Sequence, residues 1–192
     1  MSPVADSWKN PTGKYNAIAS ICKWLEVNVP GGTQFTWFFT PDLKAATFPR
    51  IEVQEFQFPD LGNTAYGGFV FPNGPVQTEG KLSQMMLLFD LFTSDLPDKN
   101  AKQTLYQMHD RLKYALINAG RSTDKDATEI LPAIKVLWYN SGGSATDTET
   151  VVRVPFEEDN AITTQYFPPT TETPNVHQLR LLVKFQWWEM WA

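Results

Sequence analysis

At 192 residues, with 42% apolar and 14% aromatic side chains, the chain can bury a core of its own and fits one domain. A formal net charge of −5 excludes a chain that is basic throughout and grips nucleic acid by its phosphates, though not a local basic patch. Cys22 is the single cysteine, which excludes a disulfide framework and a cysteine metal site.

The opening MSPVADSWKN has neither the basic nor the apolar region of a secretory signal. No apolar run approaches the length that crosses a bilayer, so a chain made in a cytoplasm is expected, with no membrane partner. Residues 12–29, TGKYNAIASICKWLEVNV, predict a helix. Ile18, Ile21, Cys22, Leu25 and Val27 recur at roughly helical spacing, Thr12 or a residue before it supplies the cap, and PGG at 30–32 ends the run. QFTWFF (34–39) reads as a short edge strand. PRIEVQEFQF (49–58) reads as a strand with Ile51 and Val53 on one face and Phe56 and Phe58 on the other, a switch that implies a bulge, a bend or cover on both sides. The Gly- and Pro-rich stretch 59–80 is an insertion, with FVFPNGPV as a small hairpin about PNG.

KLSQMMLLFDLFTSD (81–95) is the central-strand candidate. Met85, Leu87, Phe89 and Leu91 line one side, and Gln84, Met86, Leu88, Asp90 and Phe92 a half-buried other side. A helix follows over 100–119, opened by Asn100 with Gln103 and stopped by Gly120. Leu105, Met108, Leu112, Leu116 and Ala119 step by three and four along its inner face. LPAIKVLWYN (131–140) alternates Ile134, Val136 and Trp138 against Lys135, Leu137 and Tyr139. QLRLLVKFQWWEMWA alternates most cleanly: Leu179, Leu181, Val183, Phe185 and Trp187 point one way, and Gln178, Arg180, Lys184 and Gln186 the other. Tryptophan on both faces suits a strand pressed between its own helix and a partner, which marks Trp188 and Trp191 as interface candidates. The whole reads as one α+β domain over 1–192: a mostly antiparallel sheet of four or more strands, two main helices packed on it, and long loop or hairpin extensions.

One such extension is 140–176, too long for an ordinary connection. It holds eight threonines and six acidic residues, with Arg153 its only base. It reads either as a disordered surface loop or as an acidic arm that orders against a neighbouring subunit. Between Lys99 and Lys125, by contrast, six bases face two acids. A basic helix surface with Arg111 and Lys113 could complement an acidic arm with Asp147, Glu149, Glu157 and Glu158 beside Arg153 across a repeated interface, or simply be solvated.

Chemistry finds little support. His109 and His177 stand in no metal or triad spacing; His109, beside Asp110 and Arg111, is read as a surface residue of the helix and His177 as a strand-start residue. Asp90, amid apolar neighbours, is expected to pair with a Lys or Arg across the sheet or to face an interface rather than to act as a base. No catalytic residue, cofactor or metal ligand is assigned.

The order of elements resembles a known design. IASICKWL, then FPRIEVQEF, then GKLSQMMLLFDLFTSD running directly into AKQTLYQMHDRLKYALINAG, and finally LPAIKVLWYN and LRLLVKFQWWEMW, are similar to the tail terminator proteins of long-tailed bacteriophages, the gpU-like group. The strand–helix unit 81–120 carries most of the likeness, and 140–176 departs from it. The resemblance implies a non-enzymatic virion protein that forms a homo-oligomeric ring, hexameric in that family. Such a ring ends tube elongation at the head-proximal end of the tail and joins it to the neck. The implied partners are other copies of the chain, the tail tube protein, the neck, connector or head-completion protein, and a tail sheath where one exists. DNA would pass through the lumen without specific binding. Two other readings stay open: a ligand-binding or cyclase-like α+β domain with a tryptophan-lined cavity, and a baseplate or minor tail component.

Overall fold

The computed structural model describes residues 13–34, 36–38, 47–56, 66–70, 77–95, 100–120, 131–139, 145–157 and 160–191. Among them are two α-helices and eight β-strands in an α+β arrangement. Helix α1 spans Lys14–Asn28. Its inner stripe is Ala17, Ile21 and Leu25, flanked by Ser20 and Trp24, all buried. Val27 falls off that stripe and stands 68% exposed, so Trp24 takes the inward place that spacing gave to Val27. The N-cap is Gly13, which makes no side-chain cap bond, and Thr12 lies outside the described residues.

The main sheet runs β1 (Thr36–Phe38), β2 (Arg50–Phe56), β4 (Gln77–Ser94), β8 (Val176–Trp191), β7 (Ile162–Phe167), with β3 (Tyr66–Val70) beside the start of β4. β1 pairs parallel with β2 at one edge; every other pairing is antiparallel. Within the 34–39 run, Thr36–Phe38 is thus an edge strand, while Gln34 closes a 3₁₀ turn and residues 35 and 39 lie outside the described residues. β2 holds unbroken register from Arg50↔Phe92 to Phe56↔Met86, so no bulge explains its double-sided pattern. Ile51 and Val53 are buried on one face, Arg50 and Glu52 on the other: the strand is covered on both sides. β3 and the start of β4 form the expected hairpin, with Val70 opposite Gln77; the PNG turn and Phe58 lie outside the described residues.

β4 and β8 are the spine, paired continuously from Glu79↔Trp191 to Ser94↔Val176. Their inner face carries Leu87, Phe89, Leu91, Leu179, Leu181, Val183 and Phe185, all buried. Each such side chain contributes about 1.5–3 kcal/mol when fully buried. Helix α2, Ala101–Asn118, lays Leu105, Met108, Leu112 and Leu116 on that face. The Gln103 N–H donates to Asn100 Oδ1 at 3.0 Å to cap its start, and Gly120 turns the chain out at φ +68°.

β5 (Ile134–Tyr139) does not join the main sheet. It pairs with β6 (Ala145–Val152) in a second sheet of two strands. Helix α1 holds it there: Trp24 Nε1 donates to Pro132 O at 3.0 Å, and Ser20 Oγ accepts from the Leu137 N–H at 2.7 Å. Ile134, Val136, Val152 and Val154 enter the same core as Phe185 and Trp187. The segment read as an arm is therefore woven into its own chain. It supplies β6, then a single bridge from Arg153 to Gln186 of β8, then edge strand β7. Its threonines and valines explain this, being β-branched residues that favour a pleated, half-buried surface.

Candidate assembly surface

Helix α2 turns its polar side outward because its apolar residues recur on one stripe only. Lys102 and Lys113 stand on that outer side, with Tyr106 43% and Tyr114 47% exposed, and Lys102 and Tyr106 lie at its margin against Tyr166 of β7. Exposed tyrosines on a helix backed by a sheet are rigid, amphipathic contact groups of the type enriched at protein interfaces. Arg111 does not project with them. It is half-buried, and its Nη1 donates to Gln34 Oε1 at 3.1 Å, against the 3₁₀ turn Gly32–Gln34.

The acidic candidates lie on another element. Asp147 on β6 accepts from Lys135 Nζ of β5 at 2.7 Å, and Glu149 follows on β6. Arg153 binds Gln186 through its backbone in both directions at 2.9 Å and through Nη2 to Oε1 at 3.2 Å. Its Nη1 also pairs with Glu157 at 3.4 Å. Glu158 lies outside the described residues. Asp147 and Glu157 thus each have a base within the chain, while Lys102 and Lys113 sit on α2. Exposed pairs of this kind contribute at most about 1 kcal/mol, so they could exchange partners at little cost.

The tryptophans divide. Trp187 is 2% exposed, in the core with Leu181, Val183 and Phe185 on the face that its alternation with them gave it. Trp188, on the opposite face beside Leu82, is half-buried, and Trp191 pairs with Glu79 at the end of β8. That opposite face carries a polar ladder. Asp90 lies opposite Arg180 in the register, as expected of a strand aspartate. Arg180 donates Nε and Nη2 to its two oxygens at 2.8 and 3.0 Å, and Gln178 adds a third bond at 2.8 Å. Asp90 in turn raises the Arg180 pKa, chiefly through the hydrogen bond. Arg50 donates to Glu52 at 2.8 Å and lies between the Phe48 and Phe92 rings at 4.8 and 4.6 Å.

Two histidines have more neighbours than their spacing showed. His109 contacts Asp110 at 2.9 Å and Thr164 of β7 at 3.4 Å. His177 sits between Tyr166 of β7 and Asp95, at 2.9 and 3.3 Å. No sequence signal joins those three residues; the β7–β8 register brings Tyr166 to His177, and the β4–β8 register brings Asp95. Among the described residues no three His, Cys, Asp or Glu side chains are placed to hold a metal ion, and no helix is long and apolar enough to cross a membrane. No protein-family model matches this sequence, and no curated protein matches it.

Proposed function

We propose that the chain is a structural virion subunit that assembles with copies of itself into a ring at the head-proximal end of a phage tail. The ring ends tube elongation and joins tail to neck. The observation that carries this reading is the outer side of α2, where Tyr106 and Tyr114 stand exposed beside Lys102 and Lys113 on the strand–helix unit that most resembles the tail terminators. The element order of the resemblance supports it further. In this reading α2 docks on a neighbouring copy, the tube protein and the neck bind the ring's two ends, and a net charge of −5 keeps passing DNA from sticking.

Light scattering and negative-stain microscopy of the purified protein, alone and with its tail tube protein, test the reading. Rings with a central hole are expected, and Tyr106→Glu with Tyr114→Glu should reduce them to monomer without unfolding the chain. A protein that stays monomeric at every concentration and beside the tube protein overturns it.

A further inference from the structure

The hydrogen-bonded chain Tyr166–His177–Asp95 takes its direction from the carboxylate at its end. An ionised carboxylate can only accept, so the His177 Nε2 that meets Asp95 Oδ2 at 3.3 Å carries a hydrogen. In the neutral ring Nδ1 is then the acceptor, and the Tyr166 hydroxyl, 2.9 Å away, donates into it. This is the order of an activated nucleophile: a hydroxyl, a base within reach of its proton, and a third group that orients the base. Lys102 Nζ stands 5.5 Å from the centre of the Tyr166 ring. The Tyr106 and His177 rings both stack with it, with centroids 6.5 and 6.4 Å away, and hold it in place. Each link comes from a separate element: α2, β7, β8 and the residue after β4.

From this geometry we infer that Tyr166 is a site of covalent modification by activated acyl donors, with His177 as general base and Asp95 as its positioning residue. The phenol oxygen attacks the acyl carbon and a carbon–oxygen bond forms. The phenol proton passes to His177 Nδ1; the bond from the acyl carbon to its leaving group then breaks, and that group departs with the electron pair and takes the proton from His177. The product is an aryl ester on Tyr166, and no oxidant or reductant is needed. This inference does not depend on the ring reading.

The probe is N-acetylimidazole, whose leaving group is imidazole, applied to the intact protein with acetylated tyrosines located by peptide mass spectrometry. In the monomer, at a dilution where light scattering shows no ring, Tyr106 and Tyr114 would react before the half-buried Tyr166 if exposure alone governed reactivity. The expected order is the reverse, with Tyr166 acetylated first. His177→Phe keeps a ring in place but removes the base, and should slow Tyr166 on the order of tenfold or more. Asp95→Asn lies on an exposed residue, which keeps the test open should the first variant misfold, and should also slow Tyr166 selectively. Acetylation of Tyr166 no faster than Tyr106 and Tyr114, or an unchanged Tyr166 rate in Asp95→Asn, overturns the assignment.

Discussion

Asp90 shows how much a single partner decides. Its side chain is 4% exposed in the middle of the longest strand, whereas that of Arg180 is 39% exposed. Removing the guanidinium strands a buried carboxylate, so Arg180→Met is expected to cost about 3 kcal/mol, the lower end for a buried pair because the arginine already meets water. Adding Asp90→Leu should recover most of that loss. Urea denaturation of the three proteins checks this, and a double variant as weak as the single one refutes it. Cys22 makes a second test at this scale. Burial pushes its thiol from 9.0 up to about 12, so the folded state holds a proton that the unfolded chain releases earlier. The sign follows: its contribution is fully present below pH 9.0 and is lost as pH rises toward 12. The wild-type melting temperature should fall more steeply above pH 9.0 than that of Cys22→Ala, by up to about 1.4 kcal/mol of stability per pH unit. Native Cys22 should also resist alkylation until the protein unfolds.

Among the elements, α2 was legible end to end, because its cap, its stripe and its stop are all local signals. Asn100→Ala should cost about 1 kcal/mol by thermal or urea unfolding. Gly120→Ala should cost more than Asn100→Ala. It places a Cβ at φ +68°, 2.9 Å from the Cβ of Ala133, so strain and crowding coincide. An equal or smaller loss for Gly120→Ala would show that the loop yields. β4 and β8 were equally plain from alternation of Leu87, Phe89 and Leu91 and of Leu179, Leu181 and Val183. What sequence hid was the partnering. Alternation of Ile134, Val136 and Trp138 announces a strand but not its sheet, and β5 finds β6 through Ser20 and Trp24 of a helix more than a hundred residues earlier. The same holds for 140–176, whose threonines and acids suggested a loop or arm until the register of Ile162–Phe167 on β8 tied them down. For the assembly surface, exposure of Lys113 and Tyr114 could be read from helical phase. The tethering of Arg111 to Gln34 and the pairing of Asp147 with Lys135 could not, since each depends on a neighbour that only the fold supplies.

At the scale of the molecule, both sheets and both helices share one buried cluster. Heat or urea should therefore unfold the chain in a single transition, with far-ultraviolet circular dichroism and tryptophan fluorescence changing together; separated midpoints would divide the second sheet from the first. The spine has a kinetic consequence as well. The contacts that weld β4 to β8 join residues far apart in the chain, 82 positions for Asp95 with His177 and 106 for Ser83 with Glu189. The helices can form early from local signals, but the sheet gains its central ladder only after a long closure whose entropy is lost before any contact repays it. Refolding is therefore slow for a chain this size, on a millisecond-to-second scale. Through that interval β4 lacks β8, with the apolar flank Met85–Leu91 unpaired and prone to meet another chain first.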